Sequence, residues 1–92
     1  MFAVKTVKRT STGTVFSGPA RVLSIHAIAG GSAGSIVIKD GGASGTTLID
    51  LDTPASSTEG IVNPSFTDEG VRFTSDVHVT LTNVTSITVI FG

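Results

Sequence analysis

The stretch SIVIKDGGASGTTLIDLD, Ser35 to Asp52, sets two apolar runs on either side of Gly41-Gly42-Ala43-Ser44-Gly45. Two readings compete for the glycines: a cradle for a bound phosphate, or a turn between two strands. A phosphate cradle needs backbone amides converging on the anion at the start of a helix, with a lysine and a hydroxyl placed to help. Here Gly45 is followed by Thr46-Thr47-Leu48-Ile49, a strand by its pattern, and no Gly-Lys-Ser/Thr occurs in the chain. Asp40-Gly41 and Gly41-Gly42 are pairs in which glycine supplies the positive φ that a tight hairpin demands. The stretch therefore predicts strand, turn, strand, and it sets the rhythm for the rest of the sequence.

Working outward, the same alternation of short apolar runs and turn clusters recurs. Upstream, Phe2 to Val7 reads as a strand or an arm, Thr14 to Phe16 as a short strand ending at Ser17-Gly18-Pro19, and Arg21 to Ala29 as a longer one. In the longer one, simple alternation puts Leu23, Ile25, Ala27 and Ala29 on one face and Val22, Ser24, His26 and Ile28 on the other, both substantially apolar. Gly30 to Gly34 is a connector. Downstream come an irregular connection from Asp52 to Thr58, a brief strand at Gly60 to Val62, a turn at Asn63-Pro64, and strands at Gly70 to Phe73, Asp76 to Thr82 and Ser86 to Phe91. In Asp76 to Thr82 the alternation is clean, with Val77, Val79 and Leu81 inward and Asp76, His78, Thr80 and Thr82 outward.

Composition agrees. Thr (14), Val (11) and Ile (8) make up over a third of the 92 residues, and their branched side chains suit a pleated surface. No apolar periodicity of helical length is present. About eight short strands with turn signals every 8 to 12 residues predict a single all-β domain over residues 1–92, a compact antiparallel β-sandwich with residues 1–12 as a possible N-terminal arm. A chain of this size buries only about 60–65% of its unfolded surface, so its core must be thin. With no cysteine, neither a disulfide nor a thiolate metal site can reinforce it. An apolar strand with two buried faces would then call for sister subunits, and an oligomer is expected.

Charge is unevenly distributed. Met1 to Lys39 carries Lys5, Lys8, Arg9, Arg21 and Lys39 and no acid, giving +5, whereas Asp40 to Gly92 carries Arg72 against seven acids, giving −6, which together make the net −1. Either the fold keeps these groups apart, leaving one surface to dock on an acidic partner, or interleaved strands mix them. The cations are too sparse, and too little interleaved with aromatics, for a nucleic-acid patch. No apolar h-region follows Lys5, Lys8 and Arg9, and no run reaches the roughly 20 apolar residues of a membrane span. A soluble, unprocessed chain without membrane contact is expected.

Chemistry-bearing constellations are thin. His26 and His78 are the only histidines; His78 is expected on the solvated face of its strand, and His26 half-buried beside Val22 and Ile28. No nucleophile elbow or comparable local motif is present. Asp50 and Asp52 point the same way and could join Asp40 as oxygen ligands, but no Asp-x-Asp-x-Asp-Gly loop occurs, and the wet edge of a sheet accounts for them equally. No catalytic, cofactor-binding or metal residue is assigned.

The order VLSIHAIAGGSAGSIVIKDGGASGTTLIDLDTPA (Val22 to Ala55), then DEGVRFTSDVHVTLTNVTSITVIFG (Asp68 to Gly92), resembles a family of short bacteriophage virion proteins. The rhythm shared is a strand, a glycine-serine turn, a Lys/Arg-Asp-Gly hairpin, a Thr/Pro-Ala connection, a Gly-hydrophobic-Arg/aliphatic-Phe strand, and a last strand closing on an aromatic and a glycine, here Phe91-Gly92. The resemblance covers Arg21 to Gly92; Glu69 and Asp76-Val77-His78 match loosely, and the first twenty residues lie outside it. It implies a jelly-roll-like accessory protein of the virion surface, made in the host cytoplasm: a capsid cement or decoration protein, oligomeric and most simply a homotrimer, bound to the major capsid protein. The alternative it leaves open is a tail or spike module that recognises a host surface. It brings no catalytic residue and no cofactor. Because the first twenty residues fall outside the shared rhythm, Phe2, Val4, Lys5, Val7, Lys8 and Arg9 are the candidate capsid contacts. As an arm, this segment would add a strand to a sheet edge on the shell; otherwise it is the first strand of the sandwich itself.

Overall fold

The computed structural model describes residues 4–53, 61–62 and 70–92, and in them nine strands and no helix. The strands are β1 (Lys5–Arg9), β2 (Gly13–Ser17), β3 (Ala20–Ala29), β4 (Gly34–Asp40), β5 (Thr46–Thr53), β6 (Ile61–Val62), β7 (Val71–Phe73), β8 (Asp76–Thr82) and β9 (Val84–Phe91). The quoted stretch is the β4–β5 hairpin, paired from Gly34↔Thr53 to Asp40↔Thr46.

Two antiparallel sheets result. Sheet A runs β1-β9-β3, with β6 and β7 both on the far side of β3. They must share that edge, since β9 already occupies the other along Val22 to Ala29. Sheet B runs β2-β8-β4-β5. The pairings nest around the β4–β5 hairpin: β3 with β6 and β7, β2 with β8, and β1 with β9.

The inward faces make one core. Sheet A supplies Val22, Ile25, Ala27, Phe73, Ile87, Val89 and Phe91, and sheet B supplies Val15, Ile36, Ile38, Ile49, Val77 and Val79. These are the alternate residues of each strand, so side-chain period 2 alone sorts core from surface over most of the chain. At one end of the core Phe16 meets Phe91 with ring centroids 5.2 Å apart, and the Lys5 ammonium lies 5.1 Å from the centre of the Phe16 ring.

β3 departs from simple alternation. Its pairing with β9 slips between Val22 and Ser24, where two residues of β3 oppose one of β9, the geometry of a bulge. Val22 therefore faces the core with Ile25, Ala27 and Ala29, all buried, while Leu23 is only half-buried. The expectation that Leu23 shares the face of Ile25, and Val22 that of His26, is thus corrected. With Val22 turned in, the outer face of β3 presents Ser24, His26 and Ile28. It is no longer the apolar surface on which the expectation of an oligomer was built.

Candidate functional site

The glycine turn comes first, because the hairpin is anchored there. Gly41 (φ 108°) and Gly42 (φ 82°) occupy the left-handed region that a side chain disfavours, and the Gly45 amide donates to the Gly42 carbonyl at 3.0 Å. The glycine amides do converge on an anion, one belonging to the chain: Gly41 and Gly42 N–H donate to Asp76 Oδ1 at 2.8 and 2.9 Å. Asp40 returns the arrangement. Its Oδ2 accepts from Thr74 N–H (3.0 Å) and the Thr74 hydroxyl (2.8 Å), and its Oδ1 from Ser75 N–H (2.8 Å) and Asp76 N–H (3.3 Å).

These two carboxylates lock the β4–β5 turn to the β7–β8 corner, some 35 residues away in the chain. Donation from Thr74 N–H, then Ser75 N–H and the Thr74 hydroxyl, holds the Asp40 carboxyl down from 3.8 to about 2. The turn reading is therefore the one the geometry supports, with Asp76 filling the place a foreign anion would need.

Asp40 is directed to this corner, whereas Asp50 and Asp52 sit on the edge strand β5, across from Val37 and Ser35. The three do not meet. Among the described residues no group of three or more His, Asp or Glu is gathered as a metal site would require.

Both histidine expectations are corrected. His78 is buried, 8% exposed, and its Nδ1 has no hydrogen-bond partner among the described residues. β8 is an interior strand, and in register His78 lies between Thr14 of β2 and Lys39 of β4. His26 is exposed rather than half-buried, because the bulge moves Val22 to the opposite face and leaves Thr88 of β9 as its cross-strand neighbour.

The N-terminal candidates divide by direction. Phe2 lies outside the described residues. Lys5 to Arg9 pairs with β9 from Lys5↔Phe91 to Arg9↔Ile87 as the edge strand of sheet A, the first strand of the sandwich rather than a detached arm. Val7 packs against the core, so it is not available to fill a pocket elsewhere. Lys5 covers Phe16. Arg9 donates to the Ser11 and Thr14 carbonyls and pins the β1–β2 corner. Of the six, Val4 (56% exposed) and the exposed Lys8 are left facing solvent.

Register also joins residues that no sequence pattern links. Arg21 of β3 lies directly across from Arg72 of β7, and both point outward because their neighbours Ala20, Val22 and Phe73 are buried. The pair borders a recess of about 250 Å³ that also touches Pro19, Ala20, Phe73 and Gly92. Like charges directly opposed across strands oppose folding, so this placement gains nothing from the pair itself.

Charge follows the sheets. The strands of sheet A carry Lys5, Lys8, Arg9, Arg21 and Arg72 and no acid, whereas sheet B carries Asp40, Asp50, Asp52 and Asp76 against Lys39. Among the described residues the two sheets hold +5 and −3. The two halves of the sequence do not map onto the two sheets, since Lys39 joins sheet B and Arg72 joins sheet A. Glu59, Asp68 and Glu69 lie outside the described residues. Compared with protein-family models, curated proteins and solved structures, the chain matches none.

Proposed function

We propose that this chain is a structural virion protein of a bacteriophage, a jelly-roll capsid cement or decoration protein that binds the major capsid protein as a homotrimer and stabilises the shell. The observation that carries the reading is the nested pairing. When β6 and β7, both on one edge of β3, are counted as one interrupted strand, eight strands pair first with last, second with second-last, and inward to the β4–β5 hairpin. A long hairpin rolled into two four-stranded sheets has this order, which is the jelly-roll form found in capsid domains. The strand and turn rhythm from Arg21 to Gly92 supports the same reading. The homotrimer is supported by the thin core of so short a chain and by β1, β2 and β5, which form sheet edges without a further paired strand among the described residues.

The test is a copy count by quantitative mass spectrometry of purified virions. Copies in proportion to the coat subunit support a cement or decoration role. A handful per particle assigns the chain to tail or spike, and absence from virions overturns both. Sedimentation of the isolated protein as a folded monomer, with a monomer retained on the particle, overturns the trimer.

A further inference from the structure

We infer that the outer face of sheet A is a docking surface for an acidic protein surface, and that sheet B faces away from that partner. The inference rests on the reading of the chain as a shell-binding protein, and it names the face that would bind. Lys8, Thr88 and His26 form one row across β1, β9 and β3. Thr6, Ile90 and Ser24 form the next. Arg21 and Arg72 lie beyond, roughly 16 Å from His26 along β3 at the usual rise of a strand. The face thus has Lys8 in one outer row, Arg72 at the opposite end, and between them hydroxyls and half-buried Ile90, with half-buried Ile28 beyond the Lys8 row. No acid belongs to any strand of this sheet.

Three occupants come into question, and the chemistry of the face favours one. A second copy meeting sheet A through its own sheet A would set Lys8, Arg21 and Arg72 of one copy against the same three cations of the other. A second copy meeting it through sheet B makes a heterologous contact, ring or open stack according to its rotation, and it would have few partners there, since two of the four sheet B carboxylates, Asp40 and Asp76, are already occupied by backbone amides. A single-stranded nucleic acid would stack its bases on aromatic rings, yet the outward residues of both rows are Thr, Ser, Ile, Lys and His, and a duplex would draw on a denser array of phosphate-binding cations than Lys8, Arg21 and Arg72 supply. An acidic protein surface uses both what the face has, cations for partner choice and encounter rate, and hydroxyl and aliphatic groups for contact.

The experiment is a two-dimensional amide NMR titration of the full chain with poly-L-glutamate at low salt, with a DNA duplex and a DNA single strand as comparators. The expected shifts centre on Thr6, Lys8, Ser24, His26, Arg72 and Thr88 and disappear at high salt. Lys8→Glu with Arg72→Glu should weaken the interaction about tenfold, and Lys39→Glu on sheet B should leave it unchanged. If the double variant does not fold, the wild-type shift map and its salt dependence still decide the matter. Shifts centred on sheet B, no shifts at all, or tighter binding of either DNA overturn the proposal. So do concentration-dependent shifts, without any probe, that couple this face to Asp50 and Asp52, since they assign it to a second copy. The titration uses no virion: a chain absent from virions could still bind through sheet A, and a chain present in them could fail to.

Discussion

Sheets A and B are built from the same residue types and close one core, yet they differ in how they use charge. Sheet B turns two of its four carboxylates to internal use: Asp40 and Asp76 each accept backbone N–H groups across the gap between the β4–β5 turn and the β7–β8 corner, while Asp50 and Asp52 stay exposed on β5. Sheet A has two cations turned to internal use, Lys5 over Phe16 and Arg9 at its corner, and presents Lys8 and Arg72 on its exposed face. The difference teaches that charge on a small sandwich can serve as internal fastening on one layer and as presented surface on the other. Only the second kind is a candidate for recognition.

The shared core is the first point at which that comparison can be broken. Phe73→Ala in sheet A and Ile38→Ala in sheet B remove side chains with no exposed surface, and each should cost about 2–5 kcal/mol. Because both sheets contribute to one cluster, urea unfolding should remain a single transition in each variant. Two separated transitions would mean that the sheets are independent layers and the comparison is one between domains.

Next are the places where backbone approaches backbone. A Cβ on Gly34 would run into the Thr82 carbonyl, so Gly34→Ala forces β4 and β8 apart and should cost about 1–3 kcal/mol. Gly42 has open space around a Cβ but a φ of 82°. Gly42→Ala should therefore cost only the conformational term, about 1–2 kcal/mol. Melting of the two variants side by side separates crowding from backbone strain, and equal stability of Gly42→Ala and wild type would remove the turn reading.

The smallest effect expected is that of pH, and it sharpens the contrast between fastening and presentation. The Asp40 carboxyl is held at about 2 in the folded chain against an ordinary 3.8, so the stability it contributes is complete above the ordinary value and is lost as pH falls from about 4 towards 2. Asp40→Asn should flatten part of the decline in melting temperature over that window and leave the curve above pH 5 parallel to wild type. An unchanged acid limb in the variant would show that the Asp40 corner does not couple to folding.

Much of the architecture was legible along the chain. The hairpin at Asp40 to Thr46, the inward Val77 and Val79, and the strand ends at Gly18-Pro19 and Gly30 all follow from period 2 and from turn chemistry, which act over a few residues. What went astray did so for physical causes of longer range. The bulge at Val22 to Ser24 reverses the sidedness of half of β3, and no residue type announces it. His78 looked solvated because alternation gives a direction but not the depth of cover, which is set by β2 and β4 on either side. The acceptor role of Asp76 had a weak signal in its place just before a strand, but its donors are 34 and 35 residues away.

By itself, then, the sequence determined that the chain forms short antiparallel strands, where they turn, and which residues of most strands face a common core, because strand propensity, side-chain alternation and glycine φ are local properties. Which strand lies beside which was decided only by the tertiary structure. That choice places Arg21 against Arg72, sets Asp76 under the glycine amides, and gathers every described acid on one sheet and all but one of the described lysines and arginines on the other. Strand order depends on how two sheets close over a single core, and charges distant in sequence become neighbours only through that closure.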